Sequence, residues 1–170
     1  TYRDRPVGSL GDLACFSFYA NKIVTTGEGG MVTTNDPALA ELVRCLRDHA
    51  FSTERHFWHQ YHGFSYRMTS LQAAVGLAQT ERLTTLVDQR RQLAAWYLDG
   101  LRDIPGLTLP RQRDDVASVY WMFGVLIEDA FGCSRDELRW RLAARGIETR
   151  TFFVPLHLQP VYFTDYDPHR

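Results

Sequence analysis

Hydrophobic and polar positions change period several times along this chain, and each change marks an element. Leu13 to Tyr19 is mostly apolar and follows turn signals at Gly8 and Gly11-Asp12, which predicts a strand. Lys22 sits just past its end; Gly27-Glu28-Gly29-Gly30 then turns the chain, and Met31 to Thr34 predicts a second short strand. Asp36 before Pro37 reads as an N-cap with proline at the first helical position. Leu39, Leu42, Val43 and Leu46 recur behind it at helical spacing, for a helix of about three turns. Residues 50–68 are rich in aromatics and hold no sustained period. Thr69 and Gln72 form a candidate capping box ahead of a helical stripe of Leu71, Ala74, Val75 and Ala78. A second helical stretch runs from about Glu81 to Leu101, carried by Leu83, Leu86, Val87, Leu93, Ala94, Tyr97 and Leu101.

Ile104-Pro105-Gly106 and Pro110 then break the chain, Arg111 to Asp115 reads as a charged loop, and the pattern starts afresh. A domain boundary is expected there, dividing residues 1–103 from 104–170. Val119 to Ile127 is almost continuously apolar and predicts a strand buried on both faces. Ser134 and Glu137 predict another capping box, with a helix to about Arg145 stopped by Gly146, and Ile147 to Val154 predicts a further strand. The order is mixed α/β, and the run Asp165 to Arg170 adds no closing element.

The length, 170 residues, suits one domain or parts of two. A net charge of −1 argues against a broad nucleic-acid or membrane-surface field. No apolar run reaches the roughly 18 residues that a membrane span needs. Cys15, Cys45 and Cys133 give neither a disulfide framework nor a CxxC pair, and Thr1 to Arg5 opens no signal peptide; a reduced, cytoplasmic setting is expected.

One feature of the composition points to chemistry. Lysine and arginine together number 19, and Lys22 is the only lysine among them. A guanidinium stays protonated and is no amine nucleophile, so lysine chemistry can occur only at Lys22. A lysine held out of water gives up its proton more easily, and the neutral amine is the form that condenses with an aldehyde. The other reading is a solvated surface lysine; the place between an apolar strand and a glycine turn favours function. Ser17 lies five residues before it and the Gly27 to Gly30 turn five after. A hydroxyl and exposed backbone N–H groups beside an amine suit a cofactor bearing both a phosphate and an aldehyde, although a plain tight turn also explains the glycines.

Gly8-Ser9-Leu10-Gly11-Asp12-Leu13-Ala14-Cys15-Phe16-Ser17-Phe18-Tyr19-Ala20-Asn21-Lys22, followed by Thr26-Gly27-Glu28-Gly29-Gly30, closely resembles the DegT/StrS-type sugar aminotransferases. The resemblance continues through Gly63 to Thr69, Leu71 to Ala74, Gly146 to Arg150 and Pro155-Leu156-His157, so it covers nearly the whole chain. It implies the fold-type I architecture of enzymes dependent on pyridoxal 5′-phosphate (PLP): a large α/β cofactor-binding domain and a smaller C-terminal α/β domain. It also implies that Lys22 is the lysine joined to the cofactor and Ser17 a phosphate contact. Family members are homodimers in which an asparagine from the neighbouring subunit reaches that phosphate, and Ser65 stands at the matching position. Within the family, Arg55 to His59 and Glu148 to His157 look most like enzymes that aminate a GDP-linked 4-keto-6-deoxy sugar. The family's acidic partner for the pyridine nitrogen falls upstream of Thr1, so the chain is expected to be an internal fragment of a longer enzyme.

The expected reaction moves an amino group from an amino acid, glutamate by the resemblance, to a nucleotide-linked keto sugar, with Lys22 passing the proton as base and then acid. Arg55 suits a sugar diphosphate, which a guanidinium grips bidentately; an ordinary surface arginine is the alternative. The resemblance places His157 at the substrate pocket, and Arg67 fits an ion pair as well as a ligand contact. His56, His59 and His62 recur every three residues, but a helix would spread them and no acidic or cysteine ligand adjoins, so no metal is expected. The aromatics from Phe51 to Tyr66 are expected to pack rather than stack on RNA, since no basic excess accompanies them. Dehydratases of this fold carry histidine in place of the lysine, which Lys22 argues against. The rival reading is a catalytically incomplete fragment, at most a dimerising remnant.

Overall fold

The computed structural model describes residues 1–55 and 57–162. His56, of the three-histidine spacing, and the terminal run from Asp165 lie outside the described residues. Two compact units divide the chain, one made of Thr1–Asp99 with Arg111–Phe123, the other of Gly100–Pro110 with Gly124–Arg170.

In the first unit, β1 (Ala14–Ser17) and β2 (Gly30–Thr33) pair antiparallel, from Ala14 opposite Thr33 to Ser17 opposite Gly30. Helix α1 (Pro37–Arg47) starts where the sequence predicts, with the Asp36 carboxylate accepting from the Ala38 and Leu39 N–H groups at 2.7 and 3.2 Å. Its last carbonyls hold the aromatic segment: Phe64 N–H donates to Leu46 and Tyr66 N–H to Arg47. Helix α2 (Ser70–Thr80) opens on the full Thr69/Gln72 capping box, and α3 runs over Leu83–Leu101. Ala94 of α3 and Ala50 are the buried apolar residues among those described.

The apolar stripe of α2 is not the side that turns inward, although its hydrophobicity suggests it. Leu71 is 82% exposed, while Gln72, Gly76 and Gln79 turn toward the loop between β1 and β2. That loop has backbone groups to satisfy, and an amide side chain can do so where leucine cannot.

In the second unit, β3 (Leu107–Thr108) pairs antiparallel with β4 (Leu126–Ile127). The strand expected over Val119 to Ile127 is therefore confined to its last residues. Tyr120 has φ 46°, a left-handed conformation that interrupts a ladder, and Val119 and Met122 are exposed rather than buried. Ile147 to Val154 forms no strand: among the described residues no neighbouring backbone pairs with it, and Phe152 to Val154 are exposed. Helix α4 (Arg135–Ala143) has Ser134 Oγ accepting from Glu137 N–H at 3.2 Å. The Glu137 carboxylate turns to Arg141 instead of completing the box. Gly146, at φ 76°, ends the turn as expected.

Leu71, Leu77, Trp96, Trp140, Leu156 and Val161 are each more than 60% exposed. No helix of the described residues is long and apolar enough to cross a membrane.

Candidate active site

The residues from Phe18 to Gly29 form a loop slung between β1 and β2 and closed at its neck. Phe18 N–H donates to Gly29 O at 2.8 Å, Thr26 N–H to Phe18 O at 2.9 Å and Thr25 Oγ1 to the same carbonyl at 3.0 Å. Helix α2 steadies it from the side: Gln72 Nε2 donates to Glu28 O at 3.0 Å, and Gln79 Oε1 accepts from Thr25 N–H at 3.1 Å. Thr26, 7% exposed, is the buried polar residue of the described chain, and its hydroxyl donates to Glu28 O at 2.7 Å. The glycines have separate reasons. Gly27 sits at φ 79°, and a Cβ on Gly29 would collide with Thr26 Oγ1.

Lys22 stands in this loop on a turn in which its N–H donates to Tyr19 O at 2.9 Å. Its side chain is half-buried, with Nζ 3.4 Å from the centroid of the Trp121 indole. Trp121 Nε1 in turn donates to Asn21 O at 2.9 Å. Ser17, at the end of β1 opposite Gly30, accepts from Tyr19 N–H at 3.3 Å. Its own hydroxyl proton has no acceptor among the described residues. A shallow cavity of about 230 Å³, lined by Ile23, Leu86, Gln89, Arg90 and Leu93, lies against the residue after Lys22.

Ser65 and Arg55 belong to the aromatic segment. Ser65 is exposed on a backbone bridge to Asp48, strapped to the end of α1 by its neighbours' hydrogen bonds. Arg67 makes an ion pair with Asp48 at 3.3 Å, so of the two roles open to it the structural one is present. Arg55 is exposed and lies over the Trp58 ring at 4.8 Å. His157 is exposed on a short 3-10 turn, Leu156–Leu158, of the second unit. Lys22 and Ser17 are thus on one loop and its strand, Arg55 and Ser65 on another segment of the same unit. Sequence reasoning missed Trp121, which no local pattern ties to a lysine 99 positions away, and the contacts of Gln72 and Gln79 with the loop, Gln72 being read only as a cap residue.

The mixed α/β fold is that of a PLP-dependent aminotransferase. A solved structure, Streptomyces venezuelae DesV in complex with a ketimine intermediate, matches 98% of this chain and 44% of its own at a TM-score of 0.84 and 40% identity. The chain belongs to the DegT/DnrJ/EryC1/StrS aminotransferase family, whose model matches residues 1–170. GDP-perosamine synthase of Caulobacter vibrioides is 44% identical over 163 residues, 95% of this chain and 44% of that protein. The dTDP-3-amino-3,4,6-trideoxy-alpha-D-glucose transaminase of Streptomyces venezuelae is 40% identical over 169 residues, 98% of this chain and 43% of that protein. The chain therefore spans less than half the length of these relatives. The family's cofactor is PLP, and the residues present fit it: a half-buried amine for the aldehyde and a hydroxyl proton left free for a phosphate oxygen.

Proposed function

We propose that this chain supplies the lysine-bearing part of an enzyme that transfers an amino group from glutamate to the keto carbon of a nucleotide-linked 4-keto-6-deoxy sugar, as in GDP-perosamine synthesis. The carrying observation is Lys22: the sole lysine, half-buried on a loop that the hydrogen bonds of neighbouring residues hold in place, in a chain of this family. When bound, PLP supplies an aldehyde to capture amines and an electron sink for the carbanion at the amino acid's α-carbon. Lys22 would hold the cofactor through that aldehyde, and its amine, when free, would serve as the base that takes the amino acid's α-proton and as the acid that gives it back.

Ser17 donates its hydroxyl proton to a phosphate oxygen, and Ser65, exposed on its strap, reaches the phosphate of a second subunit in a homodimer. Arg55 meets the sugar diphosphate with its guanidinium, and His157 contacts the sugar. The setting is cytoplasmic, a reading that the three unpaired cysteines support, since thiols stay reduced there. The 44% identity to a GDP-perosamine synthase supports a GDP-linked sugar; the 40% identity to a dTDP-sugar transaminase keeps the nucleotide as the variable to be measured.

Incubation of the full chain with PLP followed by borohydride should leave a pyridoxyl tag on Lys22, read by peptide mass spectrometry. In a parallel sample without borohydride, glutamate with a GDP-4-keto-6-deoxy sugar should yield the amino sugar, and a dTDP-linked analogue much less. A tag distributed at the N-terminus alone, with Lys22 bare, refutes the assignment. A second reading, a dimerising piece without activity, draws on the exposed Leu71, Leu77 and Trp96. It predicts a dimer on sedimentation and no tag.

A further inference from the structure

We infer that Trp121 is a positioning residue for Lys22, an inference that rests on Lys22 being the cofactor's lysine. Two contacts fasten the indole to the lysine turn. Its Nε1–H donates to Asn21 O at 2.9 Å, and its face receives Lys22 Nζ at 3.4 Å from the ring centroid. Both ends of one rigid side chain thus grip adjacent residues, one through the backbone and one through the amine. The hydrogen bond joins residues 100 apart in sequence, so it depends on the folded unit and not on the local turn.

The physical effect follows from the two partners. A lysine side chain is a flexible four-carbon stem with a compact charge, and left free its amine samples many positions. An ammonium inside about 6 Å of a tryptophan centroid is drawn to the negative face of the ring. Trp121 therefore parks the amine beside the loop that carries it. Condensation requires the amine to lift off the ring as well as lose its charge: nitrogen then bonds to the carbonyl carbon, and its two remaining protons leave with the carbonyl oxygen as water. Trp121 sets how readily Lys22 is released, and where its stem starts from.

The test uses the full chain without cofactor and exploits its single lysine. Reductive methylation with carbon-13 formaldehyde places one ε-dimethyl label, whose resonance a ring held below it shifts upfield of free lysine. Upfield displacement is expected in the wild type and in Trp121→Phe, which keeps a ring face and loses the Nε1–H, and loss of it in Trp121→Leu. Acylation of unmodified Lys22 by an activated ester should accelerate about two- to thirtyfold in Trp121→Leu, and by a smaller factor in Trp121→Phe. An unshifted wild-type resonance overturns the inference without any variant having to fold. Equal acylation rates in all three proteins, or equal acceleration in both variants matched by equal losses in melting temperature, overturn it too, the latter because a merely structural tether would behave so. Failure of the cofactor assignment looks different: Lys22 takes no pyridoxyl tag while the upfield resonance persists.

Discussion

Gly76 of α2 presses on the methyl group of Thr26: a Cβ at position 76 would come within 2.8 Å of Thr26 Cγ2. The contact ties a helix with few buried side chains to the polar residue at the centre of the lysine loop. Gly76→Ala sets two effects against each other. Alanine favours the helix by about 1 kcal/mol, while overpacking costs about 1–3 kcal/mol. Thr26 is held by hydrogen bonds on both its N–H and its hydroxyl, so it has little room to yield and the second effect should win. The variant should be less stable by a net amount of about 0–2 kcal/mol, and so melt lower. Gly100→Ala, where nothing lies within 4 Å, should melt at or above the wild type; the pair is compared by thermal denaturation.

Gln72 has two jobs and Thr69 one. Thr69→Ala removes the cap and should cost about 0.5–2 kcal/mol. Gln72→Ala removes the reciprocal half of the box and also the bond from Nε2 to Glu28 O, so it should cost more and loosen the loop. Hydrogen exchange separates them: the Thr26 amide, bonded to Phe18 O, should exchange faster in Gln72→Ala than in Thr69→Ala.

Lys22→Arg keeps a cation on the indole and abolishes the amine. Its stability should stay within about 0.5 kcal/mol of the wild type, and borohydride after PLP should leave no tag at position 22. Retained amino-sugar formation in this variant would remove Lys22 from the reaction.

The hydrogen bonds from Arg135 to Asp136, at 3.0 and 3.1 Å, hold the Asp136 carboxyl below the usual aspartate range. Because the folded value lies below the unfolded one, the stability it lends is present above the unfolded value and fades as pH falls through the folded one. The pair is exposed, so the contribution is small and salt weakens it. Melting of Asp136→Asn should trail the wild type at neutral pH and converge with it in acid, and the gap should narrow in high salt.

What was legible in the sequence is what short-range chemistry decides. Asp36-Pro37 and Thr69 with Gln72 start their helices as read, because a cap is made by residues two or three positions apart. The strand around Ser17, the glycine turn and Gly146 follow for the same reason. Ile147 to Val154 failed because β-propensity describes a surface that fits a neighbour and cannot supply one. The face of α2 was misjudged in kind: hydrophobic spacing located the helix, but which side turns inward was decided by loop amides that only glutamine could answer. In the site, Lys22 stood out by being alone, whereas Trp121 sits beside it through tertiary folding and leaves no trace at either sequence position.

On the wheel of α2 the glutamine side and the leucine side lie about a quarter turn apart. A partner settling on Leu71 and Val75 would therefore leave the amide grip on residues 25 to 28 untouched. Polar residues at those two positions should lower any self-association through that flank without loosening the loop that carries Lys22.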